Sequence, residues 1–160
     1  MTLTWGDWIE TGVLDIDNEH KLIMELYNRA IRAINDRLSN EDIDSIVTAF
    51  CIAIKTNFRT EEEIMLAMNY EHTLEHINHH NNLLYKIDYL IESLKYRDTV
   101  YDSISVVMIE FIAQHIDLYD AKLAAFIKGV DIPDNNYSPV DNTEHDFVTI
   151  LHTIWKELNQ

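Results

Sequence analysis

His76 and His80, four residues apart, are a pair of side chains able to do chemistry. On a helix that spacing puts both imidazoles on one face, about one turn apart, where they can grip one metal ion or two adjacent ions. His72 extends the row by a turn, whereas His79 points to another face and reads as a solvated residue. The stretch His115-Ile-Asp-Leu-Tyr-Asp120 adds a further imidazole and a carboxylate. Five residues of α-helix leave these two about 140° apart around the axis, so only a longer reach brings both to one centre. Glu61 lies in Asn57-Phe-Arg-Thr-Glu-Glu-Glu-Ile-Met65 and shares a face with Ile54, Phe58 and Met65. An inward role is expected for Glu61, and a solvent-facing one for Glu62 and Glu63. His20 sits in the first turn of another helix, behind Asp15-Ile-Asp17.

Each of four helices thus offers an inward histidine or carboxylate. Burying so many polar groups without a cation costs several kcal/mol apiece. A pair of divalent metals removes that cost, because carboxylates can bridge two ions while imidazoles complete each shell. The donor set suits iron, zinc or manganese, and the core of a helical bundle is a natural place for it.

The elements that must hold these residues are helical. Residues 18–128 contain neither Gly nor Pro and are rich in Leu, Ile, Ala, Glu and Asn. Asp17 is placed as the N-cap of a first helix ending near Arg37, with Leu22, Leu26, Ala30, Ala33, Ile34 and Leu38 as its apolar stripe. Ser39 or Asn40 caps a second helix carrying Ile43, Ile46, Val47, Phe50, Ile54, Phe58, Met65 and Met68. A third runs from the break at Asn69-Tyr-Glu71 to about Tyr96, and a fourth from Arg97-Asp-Thr99 to Ile127, with Gly129 as its C′ residue. Short polar turns between long helices predict an all-α, up-down-up-down four-helix bundle over residues 1–128, of which residues 1–16 form an extended arm with Trp5 and Trp8. Residues 129–141, with Pro133 and Pro139, read as a linker. Residues 142–159 read as an additional helix whose stripe (Phe147, Ile150, Leu151, Ile154, Trp155, Leu158) must dock on the bundle or at an oligomer interface.

A formal charge of −16 disfavours nucleic acid and anionic lipid as partners. No apolar run is long enough to span a bilayer and no leader peptide opens the chain, so a cytoplasmic location is expected. The single cysteine, Cys51, falls in the apolar run 49–54 and reads as a small core residue.

The chain resembles the hemerythrin family, including its bacterial members. The resemblance is carried by Trp5, Val13-Leu-Asp-Ile-Asp-Asn-Glu-His20, Asn57-Phe-Arg-Thr-Glu-Glu-Glu-Ile-Met65, Tyr70, His76-Ile-Asn-His-His80 and His115-Ile-Asp-Leu-Tyr-Asp120, in family order. It implies two iron ions with a bridging oxo or hydroxo group. His76, His80 and His115 correspond to the ligands of one iron, His20 to a ligand of the second, and Glu61 and Asp120 to the bridging carboxylates. Phe58, Phe111 and Ile112 correspond to the lining of a dry oxygen pocket. The departure is Asn57, which stands where the family usually has a histidine on the oxygen-binding iron. An amide oxygen is a poorer donor to iron than imidazole, so this position is expected to be vacant or weak. Three outcomes are open: water fills the position, another donor such as His72 is recruited, or the second iron is weakly held. The expected function is binding of dioxygen or another small diatomic for storage, delivery or sensing, by a binding protein rather than an enzyme. The alternatives are oxidase or peroxide-type activity, or a regulatory metal-binding module.

Overall fold

Between Gly12 and Gly129 the chain changes direction only at polar turns, and four rods of helix result. In the computed structural model, which describes residues 3–6 and 10–130, α1 spans Leu14–Asn35, α2 Asn40–Met68 and α3 Thr73–Ser93. A short 3-10 turn, Arg97–Thr99, leads to the fourth rod. That rod is α4 (Val100–Glu110), a π-helical segment (Phe111–Asp120) and α5 (Ala121–Ile127) in unbroken succession. α1 packs on α2, α2 on α3 and α3 on α4, and α1 closes the ring against α4. The architecture is the expected all-α bundle, with no strand among the described residues.

Local chemistry sets the turns. Ser39 Oγ accepts from the Asp42 amide at 3.1 Å and so caps α2, with Glu41 and Asp42 in the first turn where the helix dipole favours acids. α2 stops because Asn69 takes the left-handed conformation (φ 52°), which lets the Tyr70 amide reach back to Met65 O at 3.0 Å. Gly129 (φ 66°) ends the fourth rod in the same way, with the Val130 amide on Ala125 O at 2.9 Å.

The start of α1 differs from the expectation. Helix begins at Leu14, three residues before Asp17, and Val13 provides no side-chain cap. The Asp17 carboxylate instead turns back along the arm. It accepts from the Thr11 amide and hydroxyl, both at 2.8 Å, and from the Gly12 amide at 2.9 Å. Gly12 has φ +74°, and Lys128, just past the end of the fourth rod, passes against it to donate to Thr11 O. The opposite end of the arm is held by Asn28, whose amide pairs with both the N–H and the C=O of Leu3 at 2.7 Å. Trp5 lies between, half-buried, with Lys21 Nζ 4.8 Å from the ring centre.

The apolar interior is divided in two. The larger cluster takes Ile23, Tyr27 and Ile31 from α1, Phe50 and Ile54 from α2, Leu83 and Ile87 from α3, and Met108 and Phe111 from the fourth rod. A smaller one joins Ile16, Met65, Tyr70 and Leu123 near the end of the bundle. Burial of each such side chain is worth about 1.5–3 kcal/mol. The expected α1 stripe holds in part: Leu26, Ala30 and Ala33 are buried and Ile34 packs against the core, whereas Leu22 and Leu38 are exposed and Ile23, Tyr27 and Ile31 join the buried face. The third helix ends at Ser93 rather than Tyr96. The proposed linker lies mostly, and the helix over 142–159 wholly, outside the described residues.

Candidate metal centre

Between the two apolar clusters lies a layer of buried histidines and carboxylates. In three of the four rods a polar residue falls between members of the two clusters: His20 between Ile16 and Ile23, Glu61 between Phe58 and Met65, Asp120 between Ile116 and Leu123. The antiparallel winding brings these positions to one level. His20, Glu61, His80, His115 and Asp120 are wholly buried, and His76 almost so.

The donor atoms converge in two groups. His76, His80 and His115 bring their Nε2 atoms to 3.4, 3.1 and 3.3 Å from a single oxygen, Glu61 Oε2. Asp120 Oδ1 lies 3.2 Å from His76 Nε2 and 3.3 Å from His115 Nε2. The other oxygen of each carboxylate faces His20, whose Nε2 is 3.1 Å from Asp120 Oδ2 and 3.9 Å from Glu61 Oε1. Glu61 and Asp120 each divide their two oxygens between the two groups, as a bridging carboxylate must. The donor atoms of Glu61, His76, His80 and His115 lie within 4.8 Å of one another, and so do those of His20, Glu61 and Asp120.

A cation fits this arrangement better than hydrogen bonds do. A carboxylate oxygen has two lone pairs and cannot satisfy three imidazole N–H donors converging on it. His20, His76 and His115 leave both ring nitrogens without a hydrogen-bond partner, as do Glu61 Oε1 and both Asp120 oxygens. Each unsatisfied buried polar atom costs about 1–3 kcal/mol.

The electrostatics agree. Burial alone would raise the Glu61 carboxyl, yet His115, His76 and His80 hold it well below the usual range. Asp120 is also lowered, with burial and Glu61 opposing and His115, His20 and His76 prevailing. Burial works against charge on His20 and His76, but the two carboxylates raise both, His76 to about 9. Burial dominates at His115 and lowers it. The carboxylates therefore stay ionised, matched by positive charge on the imidazoles, whose place a bound cation would take.

The π-helical segment explains how His115 and Asp120 meet. Its i→i+5 hydrogen bonding stacks residues five apart, so both side chains reach one centre without the stretch that α-helical winding requires. The misfit between their spacing and the α period was the sequence signal for it.

Surrounding contacts fix the imidazoles. His80 Nδ1 is 2.8 Å from Glu62 Oε1, so Glu62 is not the solvated residue expected. Such a carboxylate orients a histidine and raises its basicity toward a metal. Glu63, by contrast, is exposed beside Arg59. Phe58 stacks on His80 at 4.0 Å and 8°, and meets His115 edge-on at 4.8 Å. Phe111 meets His20 edge-on at 5.6 Å, and Ile112 is buried in the adjoining cluster. His79, expected in solvent, is buried against Tyr119 at 4.1 Å and 13°. The fourth rod covers that face of α3. His72 stands at the N-cap position of α3, 39% exposed between Glu71 and Glu75, outside both donor groups.

Asn57 is fully buried one turn before Glu61. Its Nδ2 donates to Glu19 Oε2 at 3.2 Å, and Thr60 Oγ1 donates to Glu19 Oε1 at 2.8 Å. Asn57 Oδ1 has no hydrogen-bond partner. Sequence reasoning missed Glu19, because its pairing with Asn57 crosses between two helices.

The family described as Hemerythrin HHE cation binding domain matches residues 11–127. A bacteriohemerythrin of Clostridium acetobutylicum is 24% identical over 118 residues, covering 70% of this chain and 88% of that protein. No solved structure matches the chain significantly. The family match spans all four helical rods and every residue of both donor groups, and the chain belongs to the hemerythrin family, a family of non-haem iron proteins that bind oxygen.

Proposed function

We propose that this chain holds two iron ions and binds dioxygen, or a similar small diatomic, for storage, delivery or sensing. The observation that carries the reading is the division of Glu61 and Asp120 oxygens between two donor groups. In this reading His76, His80 and His115 hold one iron, His20 serves the second, and Glu61 and Asp120 bridge them. The iron pair supplies the electrons and the open coordination that a diatomic ligand needs. The protein contributes position and dryness. Phe58 and Phe111 pack directly on the histidines, and the Ile16–Met65–Tyr70–Leu123 cluster closes the end of the bundle. Walls of this kind suit an apolar gas better than acid–base turnover of a larger substrate.

The test is anaerobic reconstitution with ferrous iron, metal counting, and absorbance recorded as oxygen is admitted and withdrawn. Two irons per chain with a reversible visible band are expected. One iron or none overturns the two-iron reading, and irreversible oxidation with continued oxygen consumption under a reductant overturns the carrier role in favour of an oxidase.

A further inference from the structure

We propose that Asn57 is a positioned oxygen donor to the second cation, held in place by Glu19 and Thr60, and that it shifts this position from iron towards manganese(II). The inference rests on the two-iron reading above and concerns how strongly the His20 side prefers iron to manganese(II).

The orientation of a buried amide is usually ambiguous, because its oxygen and nitrogen have nearly the same shape. Here Glu19 settles it. The two oxygens of the Glu19 carboxylate both accept, one from Thr60 and one from Asn57, so the amide end at 3.2 Å from Glu19 Oε2 is the Nδ2 donor. Thr60 donates to the other oxygen of the same carboxylate at 2.8 Å and fixes the acceptor in turn. Asn57 Oδ1 is thereby directed away from Glu19, and it is wholly buried without a partner. A buried carbonyl left so needs a cation or a water. Asn57 shares a helix face with Glu61, one turn on, whose Oε1 belongs to the His20 group and likewise has no partner.

The two cation positions then differ in kind. The first takes three imidazoles with carboxylate oxygen. The second takes one imidazole, His20, with oxygens from Glu61, Asp120 and Asn57. Imidazole-rich sets suit iron, whereas carboxylate and carbonyl oxygens suit manganese(II).

The test loads metal-free protein anaerobically with equimolar iron(II) and manganese(II), removes unbound metal and counts both metals per chain. Wild type, Asn57→His and Glu19→Gln are compared, each also loaded with iron alone. Glu19 is only half-buried, so its variant does not threaten the core. Wild type should retain about tenfold more manganese per iron than Asn57→His, on the scale at which partners of ligands alter affinity. Glu19→Gln, which no longer dictates the amide's orientation, should fall between them. Equal manganese-to-iron ratios in wild type and Asn57→His overturn the selectivity, and a Glu19→Gln ratio equal to wild type overturns the positioning role. If Asn57→His retains two irons in that case, the two-cation reading survives. If neither protein retains more than one cation under any loading, that reading has failed and the inference with it.

Discussion

His115 and Asp120 lie five residues apart on one rod, yet His115 Nε2 and Asp120 Oδ1 are 3.3 Å apart in the same buried centre. The π-helical segment between Phe111 and Asp120 makes this approach. Such winding is rare and less favourable than α-helix, and it is found mostly at functional sites. An ion held by both residues would offset that cost.

The backbone of residues 111–120 should therefore be the part of the fourth rod most sensitive to metal. Hydrogen exchange measured with and without bound iron should show these amides slowed by metal well beyond those of α4, since local opening there must break the centre. Equal protection of the two segments in both states would show that the π-helical winding is independent of the ion.

Glu62 should matter for metal retention although it touches no donor-group carboxylate. Its hydrogen bond to His80 Nδ1 fixes which ring nitrogen faces Glu61. Replacing it with glutamine keeps the size but removes the charge that makes the imidazole a better donor. Chelator competition should show Glu62→Gln losing metal about 10–100-fold more readily than wild type. Glu63→Gln, at an exposed neighbouring position, serves as the control and should match wild type.

Cys51 offers a test of the interior remote from the metal. Burial pushes its thiol up to about 12 from an ordinary 9.0. In the folded state the thiol stays neutral and closed to alkylating reagents, so labelling at pH 8 should follow the rate of unfolding. The pH dependence has a definite sign. Because the folded pKa is raised, its contribution to stability is present below pH 9 and is lost as pH climbs towards 12, where only the unfolded chain gives up the proton. Denaturant titrations should show a decline over that interval that is shallower in Cys51→Ala, and parallel curves would contradict the assignment.

Which features were legible in the sequence follows from which contacts are local. His76 and His80 declare themselves through the α-helical period, and Glu61 through its apolar companions Ile54, Phe58 and Met65. The bundle follows from the uninterrupted stretch between Gly12 and Gly129 and the polar turns within it. The misreadings share one cause, a partner on a different element. Glu62 looks solvated on α2 until His80 reaches across from α3. His79 looks solvated on α3 until Tyr119 covers it. Asp17 resembles a cap because the arm that claims its carboxylate has no periodic signal of its own. The Asn57–Glu19 pair joins two helices whose relative rotation no spacing within either helix records.

Phe58 tests whether dryness or stability is the main office of the aromatic wall. The side chain is 3% exposed and stacks on His80, while it also helps line a cavity of about 300 Å³ open to the surface, together with Lys55, Arg59, Glu62, Leu84 and Asp88. It is thus a ring's thickness of apolar material between solvent and an inner histidine. Phe58→Ala should cost about 3–5 kcal/mol, as other large-to-small changes in cores do, and its effects on metal would be confounded with unfolding. Phe58→Leu keeps more of the volume and should cost less, yet it removes the flat face that covers His80. If exclusion of water is the role of Phe58, the leucine variant should lose iron to chelator and oxidise faster than wild type while its urea midpoint falls only modestly. If both rates change only in proportion to the fall in stability, Phe58 is packing and the barrier to water lies elsewhere.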